Sequence, residues 1–238
     1  MDKNQRNLLN KIRHVPGYLR DDEAWLLFQL AQQSTGKGVI VEIGSWKGKS
    51  TICLALGSKQ EPKSPVYAID PHVGSSEHQR TFGPISTLKA FKKNIKKAEV
   101  ASLVKMLVIS SRKAAQNFSH PVELIFIDGD HNYQAVKRDF LDWSPHLVDG
   151  GIIAFHDTFS WPGPKKVVDK YLFKSAQFKN IRVIGSITFT RKTEHILLLD
   201  KILNRYVLFL KRFRENILKI KLPQPIHQMA KRIYYWIQ

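Results

Sequence analysis

Apolar residues fall along this chain in two alternating patterns. "GVIVEIG", "VYAID", "LVKMLVIS", "ELIFID" and "GGIIAFHD" are short unbroken apolar runs. "KSTICLALGS", "STLKAFKKNIKKAEV", "RKAAQNF", "YQAVKRDFLDWSPHL" and "PKKVVDKYLF" follow them in turn, with apolar positions recurring every three or four residues. Runs without alternation predict strands buried on both faces, and the stretches between them predict helices, so the order specifies an α/β fold with a parallel sheet covered on both sides. Ahead of the first strand, "NLLNKIRHV" predicts a short amphipathic helix stopped by Pro16 and Gly17. A second helix follows, capped by Asp21 or Asp22 and burying Trp25, Leu26, Phe28, Leu30 and Ala31. Late in the chain, "IRVIGSITFT" and "HILLLD", separated by the polar "RKTE", predict a hairpin, so one late strand runs antiparallel.

The remainder reads as a helical tail. Ile202, Tyr206, Phe209, Leu210, Phe213, Ile217 and Ile220 recur at spacings of three and four, which predicts a helix over 201–222 with one apolar stripe. Pro223 and Pro225 end it, and "IHQMAKRIYYWI" starts a second short amphipathic piece. The division expected is N-terminal helices over 1–35, an α/β domain over 36–200 and a basic amphipathic tail over 201–238.

Composition sharpens this picture at four points. The 238 residues are 43% hydrophobic, enough for one α/β domain with a core of its own. No run reaches the roughly 18 apolar residues of a membrane span, and the start is too polar for a signal peptide, so the expected location is cytoplasmic. The single cysteine, Cys53, excludes an internal disulfide framework and a cysteine-based zinc cluster; within "TICLALG" it reads as a core thiol. The net charge is +18, and residues 201–238 hold nine Lys or Arg against one acid, Glu215. Charge of that kind suits nucleic acid or an anionic membrane. The tail's stripe could pack on the domain, bring two copies together as a homo-oligomer, or lie on the inner membrane surface as a peripheral contact.

In a doubly covered parallel sheet, ligands bind at the carboxyl ends of the strands near the point where strand order reverses. Four loops qualify: 44–50, 70–72, 128–131 and 156–158. In "VEIGSWKGKST" the first of them nearly matches a triphosphate loop, but Gly44 stands one residue too near Gly48, Lys49 and Ser50, and the G-x-G-x-x-G of dinucleotide folds is absent. "GKS" and the later "LIFID" keep a P-loop phosphotransferase open as an alternative. Asp70, 28 residues after Glu42, can instead accept two hydrogen bonds from a ribose diol, which points to an adenosine without phosphates to cradle.

"VEIGSWKGKST", "YAIDPH", "IFIDGDHNY" and "GGIIAFHDT", in this order, resemble the class I S-adenosylmethionine-dependent methyltransferases, and among them the branch of cephalosporin-pathway and sugar O-methyltransferases. The resemblance covers about residues 20–200 and implies a Rossmann-like seven-stranded sheet with strand seven antiparallel. It also implies a cofactor site with Glu42, Gly44 and the turn Ser45, Trp46, Gly48 near the methionine moiety, Asp70 on the ribose, Ser111 near the adenine and Asp128 beside them. Lys49 reads as a solvated residue at a helix start.

The resemblance extends to a candidate metal site. Divalent-dependent O-methyltransferases of the catechol type place an Asp after strand four and two ligands after strand five, positions held here by Asp128, His156 and Asp157. With His where those enzymes carry a carboxylate, the ion could be Mg²⁺ or a transition ion. The other reading is that Asp128 and Asp157 cap helices and His156 lines the cleft. His131 stands where the catechol type carries its base lysine, and a histidine with an ordinary pKa near ~6.5 can take a hydroxyl proton at neutral pH. The reaction expected is in-line transfer of a methyl group to a hydroxyl oxygen of a small molecule, which the resemblance suggests is a sugar or a lipid-linked glycan. Nucleic acid is disfavoured as substrate, because base C5 methylation needs a cysteine nucleophile and amino methylation a tetrapeptide of the N/D-P-P-Y/F type where this chain has "DGDH". The Gly-rich "PHVGSSEHQRTFGPIST" reads as a lid. A non-catalytic adaptor for nucleic acid or membrane is the remaining alternative.

Overall fold

The computed structural model describes residues 2–59 and 63–219. Two helices, α1 (Lys3–Ile12) and α2 (Asp21–Gln32), precede the strands β1 (Val39–Ile43), β2 (Val66–Ile69), β3 (Val104–Leu107), β4 (Val122–Ile127), β5 (Leu147–Phe155), β6 (Phe178–Ile184) and β7 (Ile187–Lys192). They form one sheet in the order β3-β2-β1-β4-β5-β7-β6. Each neighbouring pair from β3 to β5 is parallel, and β7 runs antiparallel to both β5 and β6. Strand order reverses between β1 and β4, so the cleft expected of such a sheet opens beyond Ile43 and Ile127.

The covering helices are α3 (Lys49–Gly57), α4 (Ser76–Phe82), α5 (Leu88–Lys97), α6 (Ser111–Gln116), α7 (Tyr133–Trp143) and α8 (Pro162–Val167), the last widening into a π-helical turn over Val168–Leu172. All five residues of β1 are buried, and they alternate between two cores as the pleat requires. Ile40 joins Leu27, Ile52 and Phe91 on one side of the sheet, while Val41 and Ile43 join Phe140, Trp143 and Phe155 on the other. Cys53 is buried in the first of these cores.

Three local expectations change. The second helix begins after Arg20, so Asp21 and Asp22 lie in its first turn rather than at the cap, and Glu23 reaches back to the Arg20 amide at 2.9 Å, the acid's half of a capping box. The hairpin turns at Gly185 and Ser186, not at "RKTE": Gly185 takes φ 62°, a left-handed conformation open to glycine, and "FKNIRVI" pairs with "ITFTRK". "HILLLD" is consequently not a strand, and its leucines open the final helix α9 (Leu198–Lys219), where Asp200 accepts from the Leu197 amide at 3.0 Å.

The sequence stripe does form on α9, but it points outward. Leu199, Ile202, Tyr206, Phe209 and Phe213 are each at least half exposed. The inward face is mixed: Val207 and Leu208 pack against the core, and Asn204 and Lys211 are its buried polar side chains. Asn204 donates to the Phe178 carbonyl at 2.9 Å and accepts from the Ile181 amide at 3.4 Å, covering the bulged edge strand β6. Lys211 is buried on Asp169 at 2.9 Å and Glu215 at 3.4 Å, and Lys165 also reaches Glu215. Ile220, Pro223, Pro225 and the piece "IHQMAKRIYYWI" lie outside the described residues.

Candidate active site

The loop after β1 is shaped by its glycines and fastened by Asp70. Gly44 takes φ 84°, and a Cβ there would lie 2.2 Å from the Asp128 carbonyl oxygen, so β1 and β4 can come this close only with glycine at that position. Gly48 takes φ 89° and closes the turn onto the Ser45 carbonyl at 2.7 Å. The Asp70 carboxylate then accepts from the amides of Ser45 at 2.9 Å, Trp46 at 2.7 Å and His72 at 2.6 Å. This folds the loop into one wall of a cavity of about 520 Å³, whose lining includes Gly44, Ser45, Trp46, Asp70, Ser111 and Asp128. Ser45 Oγ is buried there without a hydrogen-bond partner.

Glu42 lies behind this wall, fully buried, and takes a hydrogen bond from the Thr51 hydroxyl. Burial pushes its carboxyl up to about 8, Ser50 and Thr51 pull it down, and Asp128 and Asp70 add to the rise. Its other oxygen has no partner, so it supports the loop from beneath. Lys49 opens α3 and is half-buried on the cavity lining, its ammonium donating to the Leu19 carbonyl at 3.0 Å.

Opposite the loop, the carboxyl ends of β4 and β5 bring Asp128, His131, His156 and Asp157 together, and Glu23 of α2 and Glu77 of α4 join them. His156 is 4% exposed, with Nδ1 3.1 Å from Asp128 and 3.3 Å from Asp157, and Nε2 3.3 Å from Glu23. Burial opposes charge on this ring, but the carboxylates around it, Asp128 foremost, hold its pKa far above the ordinary histidine value. With both nitrogens facing acids, the charged ring is favoured, and Nδ1 would have to give up its proton to bind an ion. Burial would raise Asp157, yet His131 and His156 hold it well below the carboxylate range. Glu23 is lowered to about 2 against the same penalty, chiefly by His156.

His131 stands at the edge of this array. Its Nε2 is 3.3 Å from Asp157, its Nδ1 is 4.0 Å from Glu77, and its ring stacks on Trp161 with centroids 4.5 Å apart. Burial lowers its pKa, but Asp157, Asp128 and Glu77 outweigh this and raise it. Gly163 permits the placement, because a Cβ there would come within 2.0 Å of the His131 carbonyl oxygen. Asp128, His131 and Asp157 can bring one ligand atom each within 4.8 Å of one another, and His156 Nδ1 faces the same two aspartates from below.

Four residues of the site carry no sequence signal that was read. Glu23 looks like a capping-box acid, which it is, but it also accepts from the Ser186 amide at 2.6 Å and so ties α2 to the β6–β7 turn and to His156. His78 on α4 stacks against Trp46, centroids 4.3 Å apart, and lines the cavity. Asp139 on α7 lines it as well, its carboxyl raised to about 6 by burial, with Ser111 hydrogen bonding in the other direction. Ser186 accepts from the Asp157 amide at 3.3 Å. Each comes from an element other than the four loops, and only the packing of distant segments reveals it. His72, by contrast, is turned inward onto Thr87 at 2.8 Å.

A family model described as a methyltransferase domain matches residues 41–158. Among curated proteins, an uncharacterized protein of Sinorhizobium fredii, y4gI, is 28% identical over 120 residues; the match takes in 50% of this chain and 13% of that one. Among solved structures, the O-methyltransferase NovP superposes with a TM-score of 0.62 at 16% identity, over 72% of this chain and 79% of the other. The O-methyltransferase TomG from Streptomyces achromogenes, solved with S-adenosylmethionine, gives 0.57 at 17% over 81% and 91%. An O-methyltransferase from Bacillus cereus, solved with S-adenosylhomocysteine, gives 0.56 at 19% over 81% and 92%. The family match over the segment that builds the cleft, and a sheet of the same fold around it, make this chain a member of the class I S-adenosylmethionine-dependent methyltransferases.

Proposed function

We propose that the chain methylates a hydroxyl oxygen of a small molecule, with His131 receiving the hydroxyl proton. The observation that carries this is the position of His131, on the wall of the cavity that the Gly44–Gly48 loop encloses, with Asp157 oriented to stabilise the imidazolium that forms. The residues fit S-adenosylmethionine. Gly44 on the cavity lining leaves the backbone open to it while Gly48 shapes the turn against Phe91, buried Ser45 Oγ is free to bond it, and Asp70 retains acceptor capacity for a ribose after its three amide bonds. Asp139 and Ser111 stand where they can meet the base. The bound cofactor supplies an electrophilic methyl on a cationic sulfur: the sulfur–carbon bond breaks as the oxygen–carbon bond forms, leaving S-adenosylhomocysteine and a methyl ether. The carboxylates of Asp128 and Asp157 favour that cation near them, and His131 holds the released proton. That the solved neighbours are O-methyltransferases supports oxygen as the acceptor. The aromatic rings of Trp46, His78 and Trp161 suit the apolar faces of a sugar or another cyclic alcohol.

The grouping of Asp128, His131 and Asp157 favours a second reading, in which these three hold a divalent ion that polarises the acceptor hydroxyl and His131 is a ligand. Incubating extract with methyl-labelled S-adenosylmethionine and identifying products by mass spectrometry should yield a labelled methyl ether; label on nitrogen, or none, defeats the proposal. His131→Ala should lower turnover about 10²-fold and leave S-adenosylhomocysteine affinity unchanged. If chelator stops turnover and Mg²⁺ or Mn²⁺ restores it, the second reading replaces the first.

A further inference from the structure

We propose that the outward face of α9 is a docking surface for an anionic lipid bilayer. The helix is fastened to the domain by Asn204 on β6 and Lys211 on Asp169 and Glu215, with Val207 and Leu208 packed against the core beside them. Its apolar side is turned to solvent, with Ile202 54%, Tyr206 50%, Phe209 62% and Phe213 55% exposed. At about 100° per residue these four lie within one arc of roughly 60°, and Leu198 and Leu199, more exposed still, prolong the stripe toward the N-terminus. Helices normally bury that side, and a continuous apolar patch of this kind marks a contact surface.

Charge identifies the occupant. Lys201, Arg205 and Arg212 are exposed and follow one another along a single border of the stripe. The two acids of α9 belong elsewhere: Asp200 accepts the Leu197 amide, and Glu215 pairs inward with Lys165 and Lys211. A second copy of this chain would bring the same basic border and the same +18 charge, with no acid on this face to meet it. Anionic headgroups meet it, while the Phe and Ile side chains enter the region between headgroup and acyl chain, which is the arrangement of an interfacial helix. No helix among the described residues is long and apolar enough to cross a membrane, so the contact is peripheral. It is also oriented, because Arg214 bonds the Gly185 carbonyl at 3.3 Å and lies over Phe159 at 4.5 Å, two residues from Asp157. Docking through α9 therefore holds one rim of the cleft at a fixed angle to the lipid surface.

Co-sedimentation of the full chain with vesicles tests this. The protein should pellet with phosphatidylcholine vesicles containing phosphatidylglycerol at least about tenfold better than with phosphatidylcholine alone, and should be released near 1 M salt, where the screening length falls to about 3 Å. Phe209→Ser with Phe213→Ser should lower anionic-vesicle binding about tenfold or more, with S-adenosylhomocysteine affinity unchanged as the control for folding. A chain that ignores anionic vesicles at low salt overturns the proposal, as does binding that the double variant leaves intact. So does sedimentation velocity showing a stable dimer that the double variant dissociates, which would make a second copy the occupant.

Discussion

Asp70 accepts three backbone hydrogen bonds with no ligand present, so its removal acts on the loop as well as on any ribose. Asp70→Ala should cost about 2 kcal/mol of stability, because the Ser45 and Trp46 amides lose their acceptor, and should weaken S-adenosylhomocysteine binding at least tenfold. Chemical denaturation and titration calorimetry measure the two effects, and a variant of unchanged stability would reduce Asp70 to a ligand contact. Glu42 makes the stability depend on pH. Its carboxyl stays protonated in the fold up to about 8 but ionises near its ordinary 4.5 once unfolded. Between those values the unfolded chain binds fewer protons, and stability falls with rising pH by up to about 1.4 kcal/mol per unit. Glu42→Gln keeps the shape without the titration, so its gain over the parent in urea midpoint should be larger at about pH 8 than at about pH 5; an equal gain would mean that Glu42 titrates normally. The position of Asp70 at the end of a strand is legible in the sequence, whereas the amides it gathers depend on how the loop curls. Glu23 was legible only as a helix cap, since its second partner is 133 residues away.

At the level of elements, a stripe of apolar positions shows that a helix has two sides but not which side the domain covers. In α9 the domain covers the side with Asn204 and Lys211, because the bulged edge of β6 offers an unpaired carbonyl and amide, and Asp169 offers a carboxylate. Single substitutions should therefore have effects opposite to those the stripe suggests. Lys211→Met takes the buried cation from Asp169 and leaves Glu215 only Lys165, which should cost about 3 kcal/mol, while Phe213→Ser, on the outward side, should change stability by less than about 0.5 kcal/mol. Urea unfolding of both variants decides between the two orientations of the helix. The hairpin boundary was missed for a related reason: the polar "RKTE" looks like a turn, but Gly185 offers the positive φ that the tight connection adopts, and the consecutive leucines after "RKTE" look like a buried strand although they lead into α9.

Over the whole molecule, the alternating apolar runs made the sheet legible, because a parallel strand buried on both faces admits little polar interruption, as the five buried residues of β1 show. They also located the cleft, since Gly44, Asp70, Asp128 and His156 all follow strand ends. What they could not convey is that the catalytic side of the cleft is closed by the two ends of the fold, α2 and the β6–β7 turn. This arrangement sets an order in time. The cofactor wall is held by bonds between residues 24 and 25 positions apart, Trp46 and Ser45 to Asp70, whereas Glu23 meets His156 across 133 positions and Ser186 across 163. Contacts between distant positions form late, because a long loop must close before they contribute. During synthesis Glu23 leaves the ribosome early and waits for nearly the whole sheet before its partners exist, so a nascent chain can gain the loop fastened by Asp70 well before the acids around His156 are assembled.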